Sequence, residues 1–116
     1  MATIKSYTDL EQSKKLAEIL TLESADMRYQ VHYDNKNNIK YIPRFISTII
    51  PLRVDIPCWS LASLLGVLPD YTIQTNTDGT VFVVCESKKP MISYAYDNPV
   101  DACVAMIEKL HELKML

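Results

Sequence analysis

The chain has 116 residues, of which 48% are hydrophobic and 22% charged, and its net charge is −2. This length fits one domain, and the composition is that of a globular protein, which excludes an intrinsically disordered chain. No apolar run approaches the roughly 20 residues that cross a bilayer, and the first residues lack the apolar core of a signal peptide. We therefore expect a single cytoplasmic domain over residues 1–116, without membrane contact.

Residue counts argue against several kinds of site. The 12 Lys and Arg are outnumbered by 14 Asp and Glu, whereas nucleic-acid-binding domains usually show an excess of basic residues. The two glycines, Gly66 and Gly79, cannot supply a glycine-rich phosphate loop. Three cysteines, Cys58, Cys85 and Cys103, lie far apart in apolar surroundings. Such cysteines are typical of buried thiols in a reducing compartment.

The first predicted element is a helix from about Asp9 to Leu20. Thr8 is placed to cap this helix, and Glu11 follows three residues later, which is the pattern of a capping box. Apolar residues recur at helical spacing with charged residues between them, which indicates a surface helix that packs one face on a core.

A hairpin is predicted next. Apolar and polar residues alternate from Asp26 to Tyr33, as in a half-buried strand. Residues 34–38 are turn formers, and the run 39–42 has the composition of a second strand.

The segment 43–57 carries prolines at positions 43, 51 and 57 around a run of β-branched residues. Because proline cannot donate to a ladder, this pattern favours an edge strand or a strand broken by bends. Pro57 suits the first turn of a helix, which we predict over Cys58 to Leu68.

The last third begins with a second hairpin. Residues 71–76 and 80–87 have strand composition, and Asp78 and Gly79 between them form a strong turn signal. A short strand is predicted over Met91 to Tyr96. Asn98 then caps the last helix, with Pro99 at its first position.

This order of elements predicts an α+β fold. We expect an antiparallel meander sheet of about five strands, with the N-terminal, central and C-terminal helices packed on one of its faces.

Several stretches together resemble a known family. They are residues 7–20 (YTDLEQSKKLAEIL), 23–27 (ESADM), 56–65 (IPCWSLASLL), 97–103 (DNPVDAC) and 110–114 (LHELK). The family consists of short uncharacterised proteins from Bacteroides-type gut bacteria and their mobile genetic elements. The resemblance covers about half of the chain and implies no catalytic or ligand-binding residue. It suggests an accessory role in a mobile element.

Cys58 is the best candidate for a nucleophile. A cysteine at a helix N-terminus can have a lowered pKa, and the Cys58–Trp59 pair is shared with papain-like enzymes. However, no motif places His32 or His111 beside it. The alternative interpretation is a small apolar residue that packs the start of the helix.

Other chemistry has weaker support. The histidines and cysteines form no pattern of metal ligands, and no two carboxylates are paired for acid–base catalysis, so we expect no metal and no cofactor. Tyr29, Tyr33 and Tyr41 could share one face of a sheet and stack on the bases of single-stranded nucleic acid. The alternation, however, places the basic residues of the first strand on the opposite face.

We therefore predict a non-catalytic protein-interaction or oligomerisation module. The alternatives are a small ligand-binding domain or thiol-dependent enzyme that uses Cys58, and a single-stranded nucleic-acid-binding protein. We expect a homodimer, with an unidentified protein as a further partner, because an apolar edge segment tends to pair with another chain. The expected interface residues are Phe45, Ile46, Ile49, Ile50 and Leu52.

Overall fold

The structure, a computed structural model, describes residues 5–46, 55–86 and 91–116. The helices are α1 (Leu10–Ala17), α2 (Leu61–Val67) and α3 (Pro99–Glu112), and a 3-10 turn covers Leu22–Ser24. The strands are β1 (Met27–Tyr33), β2 (Ile39–Phe45), β3 (Ile56–Cys58), β4 (Tyr71–Thr75), β5 (Val81–Cys85) and β6 (Met91–Ile92). The α+β class is thus confirmed.

The described strands form two antiparallel sheets of three, with the orders β2–β1–β3 (sheet 1) and β4–β5–β6 (sheet 2). The expected single sheet of about five strands is therefore not confirmed. Both predicted hairpins are present, but each one pairs with its own third strand. In sheet 1, β3 pairs with β1 rather than with β2, so its strand order is not that of a meander.

Two helices begin later than expected. Asp9, not Thr8, caps α1, and its capping box is closed by Gln12. The predicted helix over residues 58–68 begins only at Leu61, with Ser60 as its cap. The Asn98 cap and Pro99 at the start of α3 are confirmed.

Among the residues that the structure describes, the core consists of two clusters that α1 connects. The larger cluster contains Leu16 of α1 and the buried faces of α2, α3 and β5. In the smaller cluster, Met27, Tyr29 and Cys58 are buried, and Leu10 of α1 packs against them. Because Leu10 and Leu16 lie on different sides of α1, this short helix links sheet 1 to the helices that cover sheet 2.

The two prolines described within sheet 1 both direct their ring nitrogen away from β1. The amide of Ile46 donates to the carbonyl of Asp26 at 3.1 Å, and hydrogen-bonded pairs alternate with non-bonded pairs along an antiparallel ladder. Pro43, opposite Tyr29, therefore falls in a non-bonded pair. The same alternation applies to Pro57 in β3. Neither proline removes a bond to β1, which explains why strands form here.

Candidate functional site

Cys58 lies in strand β3 rather than at a helix N-terminus. Its thiol is fully buried and its sulfur lies 3.6 Å from the hydroxyl of Thr8 and 3.5 Å from the carbonyl of the same residue. Burial raises the pKa of the Cys58 thiol, although hydrogen bonds to Thr8, Ser13 and Tyr29 act in the opposite direction. The thiol is therefore neutral at physiological pH, and Cys58 lies two residues before Ser60, the cap of α2.

No histidine is among the hydrogen-bond partners of Cys58 in the described ranges. His32 is exposed, and its Nε2 lies 3.4 Å from the side chain of Gln30. His111 is exposed near the end of α3. Cys85 and Cys103 are also buried free thiols, and burial raises the pKa of Cys103 to about 12.

The β1–β2 hairpin has one entirely uncharged face, which we call the apolar hairpin face. It consists of Met27, Tyr29, Val31, Tyr33, Ile39, Tyr41, Pro43 and Phe45, which pair across the two strands. Met27 and Tyr29 are buried against the small core cluster. Towards the turn and at the far end of β2, exposure rises to 67% for Tyr33, 55% for Ile39 and 68% for Phe45.

The opposite face of the hairpin is basic. It carries Lys40 and Arg44 on β2, both exposed, beside His32 of β1. The expected separation of tyrosines from basic side chains is thus present. A nucleic-acid site that stacks bases on Tyr33 and Tyr41 would find the cationic side chains of both strands on the far side of the sheet.

A buried ion pair is present on this basic face. Nη1 of Arg28 lies 3.3 Å from Oδ2 of Asp55, and the two side chains are only 9% and 3% exposed. Within the described ranges, Nε and Nη1 of Arg28 and Oδ2 of Asp55 make no hydrogen bond of good geometry. The pair fixes β1 to the residue that leads into β3.

Of the five expected interface residues, the structure describes two. Phe45 belongs to the apolar hairpin face, and Ile46, the next residue, is 41% exposed. Ile49, Ile50 and Leu52 lie outside the described residues. Tyr33, expected only as a stacking residue, and Ile39 were not among the expected interface residues. The two alternating strands and the turn at residues 34–38 nevertheless fix the register that places both on the same face as Phe45.

A groove of about 290 Å³ lies between α1 and α3. Four of its nine lining residues are acidic. One of them, Asp101, accepts hydrogen bonds from Lys5, Gln12 and Asn98 at 2.8–2.9 Å. Lys5 also pairs with Asp9 at 3.1 Å. The carboxylate of Asp101 is thus occupied by internal partners and joins the N-terminal segment to α3.

In the part of the chain that the structure describes, no group of three or more His, Cys, Asp or Glu side chains is arranged to hold a metal ion. No helix there is long and apolar enough to span a membrane. Comparisons with protein-family models, with curated proteins and with solved structures found no match.

Proposed function

We propose that the chain is a small non-catalytic interaction module that associates with itself through the apolar hairpin face. The observation that carries this proposal is the exposure of Tyr33, Ile39 and Phe45 on one uncharged face. Exposed aromatic side chains such as Tyr33 and Phe45 are typical of protein contact sites, in which aromatic residues are enriched.

A second copy of the chain is the partner that we propose for this face. Two identical faces without charges can pack around a two-fold axis without like-charge repulsion, and closed two-fold dimers are the commonest oligomers. Phe45 and Ile46 would lie at the edge of this contact. A further protein partner could bind the same face in competition with the second copy.

The buried state of Cys58 supports a non-catalytic role, because a neutral and enclosed thiol is a poor nucleophile. Three buried free thiols are also consistent with the proposed cytoplasmic location. The proposed accessory role in a mobile element can be tested by whether conjugation or phage genes adjoin the gene.

The test compares Ile39→Lys with Ile92→Lys. These two isoleucines are 55% and 57% exposed and both lie in strands, but Ile92 is in sheet 2. The mass of each variant in solution is measured by light scattering at tens of micromolar, and circular dichroism confirms that each is folded. We expect Ile39→Lys to lower the mean mass and Ile92→Lys to leave it unchanged. An Ile39→Lys mass equal to that of the wild type contradicts the proposal.

A further inference from the structure

The four outer strands of the two sheets differ in whether another strand can pair with them. In sheet 1 the outer strands β2 and β3 each carry a proline, Pro43 and Pro57, whose nitrogen faces outwards. In sheet 2 the structure describes only two residues of the outer strand β6. Prolines and short length are both devices that prevent edge pairing. Among the described strands, only β4 is a longer outer strand without either device.

Strand β4 has the sequence Tyr-Thr-Ile-Gln-Thr, with neither proline nor charge. Asn76 donates to the carbonyl of Thr80 at 2.8 Å and Glu86 donates to that of Asp70 at 3.2 Å, which fixes the even-numbered residues of β4 as those bonded to β5. The backbone N–H and C=O groups of the odd-numbered residues therefore point away from the sheet. These residues are Tyr71, Ile73 and Thr75.

We propose that β4 is a second self-association site, at which it pairs antiparallel with β4 of another copy around a two-fold axis at Ile73. This inference extends the proposed self-association but depends on a different element from the apolar hairpin face. Ile73 would pair with Ile73 of the other copy, and Tyr71 with its Thr75. These three hydrogen-bonded pairs make two hydrogen bonds each. They use every outward-facing backbone N–H and C=O group of Tyr71, Ile73 and Thr75. The result is one continuous sheet across two copies.

The side chains of β4 suit this pairing. Thr72 would lie opposite Gln74 of the other copy in the non-bonded pairs, where cross-strand side chains are closest. Both residues are exposed and neutral, so no charge opposes the contact. Identical strands are self-complementary at this register, which is why a second copy is the occupant that we assign to this edge.

The test uses the Ile39→Lys variant, in which the hairpin contact is removed. Self-association that remains then reports on β4 alone. We expect this variant to have the mass of two chains, and addition of Ile73→Pro to reduce the mass to that of one chain. A proline at position 73 removes an outward-facing amide and no bond to β5, as Pro43 does in β2. Ile73→Ala, which also shortens the side chain but keeps the amide, is the matched control and should remain a dimer.

A second pair of variants avoids any change to the backbone. Both are made in the Ile39→Lys background. Thr72→Lys with Gln74→Lys places lysines of the two copies opposite each other, so we expect the mass of one chain. Thr72→Lys with Gln74→Glu places Lys opposite Glu, so we expect the dimer to be preserved.

Amide exchange provides a further measure, because the amide of Ile73 should become protected from exchange as the protein concentration rises. The inference is overturned if Ile39→Lys is already monomeric, or if its dimer is unaffected by both Ile73→Pro and the paired lysines. The hairpin proposal fails on a different result, an unchanged mass on Ile39→Lys alone.

Discussion

The phenolic hydroxyl of Tyr29 donates a 2.6 Å hydrogen bond to the backbone carbonyl of Thr8. Both residues are buried, so the bond ties the first strand of sheet 1 to the segment that enters α1. The Thr8 hydroxyl in turn accepts from the amide of Trp59 at 3.1 Å and contacts the Ser13 hydroxyl at 2.8 Å. This buried polar network joins three parts of the chain that are distant in sequence.

Tyr29→Phe tests the contribution of this bond. The variant keeps the ring, which packs edge-on against Tyr7 with 6.4 Å between centroids, and removes only the donor. We expect a loss of about 1 kcal/mol in the free energy of unfolding, because a buried carbonyl loses its strongest partner. Chemical denaturation measures the loss. Tyr33→Phe, at an exposed tyrosine on the same face, should cause none, and equal effects of the two variants would contradict the assignment.

The Arg28–Asp55 pair predicts an asymmetry between single and double variants. Asp55→Ala leaves a buried guanidinium without its counter-ion and should lower the free energy of unfolding by about 3 kcal/mol. The double variant Arg28→Met with Asp55→Leu removes both charges and should be more stable than Asp55→Ala alone. Arg44→Met, at the exposed position opposite Arg28, serves as the control. A double variant with a lower free energy of unfolding than Asp55→Ala would contradict this prediction. It would show that the two charges stabilise the fold through more than their interaction with each other.

The elements with strong local signals could be predicted from the sequence. The alternation from 26 to 33 identified β1, and Asn98 with Pro99 identified the start of α3. The cap of α1 was misassigned because Thr8 and Asp9 are both good caps. The structure assigns the Thr8 hydroxyl to Ser13 and Trp59 instead, which are tertiary contacts that local spacing does not reveal.

The division into two sheets could not be predicted from the sequence. It depends on which third strand pairs with each hairpin, and these strands are β3, which pairs with β1, and β6, which pairs with β5. Pro57 indicated a helix start since proline favours the first helical turn. Proline is equally tolerated at position 57 of β3, because its nitrogen faces away from β1. Only the register of sheet 1 decides whether Pro57 lies in a strand or in the first turn of a helix. The register of sheet 2 likewise decides which backbone groups of β4 face outwards, so the open edge was also missed.

The bonds around Asp101 predict a stability loss in acid. Burial by itself raises the pKa of this carboxyl, but hydrogen bonds from Lys5, Gln12 and Asn98 together hold it below its ordinary value of 3.8. A depressed pKa in the folded state means that the stabilisation is complete above the ordinary value and is lost as pH falls through the folded one. Asp101→Asn should therefore weaken the pH dependence of the free energy of unfolding between about pH 5 and pH 2. Glu112→Gln, at an exposed position at the end of α3, is the control and should leave the slope unchanged.

Alkylation of the cysteines distinguishes the interaction module from a thiol-dependent enzyme. Cys58 and Cys103 are fully buried, Cys85 is 1% exposed, and burial raises the pKa of all three thiols. Because iodoacetamide reacts with the accessible thiolate, we expect no modification of the folded protein at neutral pH within minutes and full modification of all three after denaturation. Mass spectrometry of the labelled peptides measures each site. Fast labelling of Cys58 alone in the folded protein would instead indicate an accessible thiolate in β3 and favour the enzyme alternative. Cys58→Ala would then separate the two interpretations, since removal of a catalytic thiol abolishes activity without changing self-association.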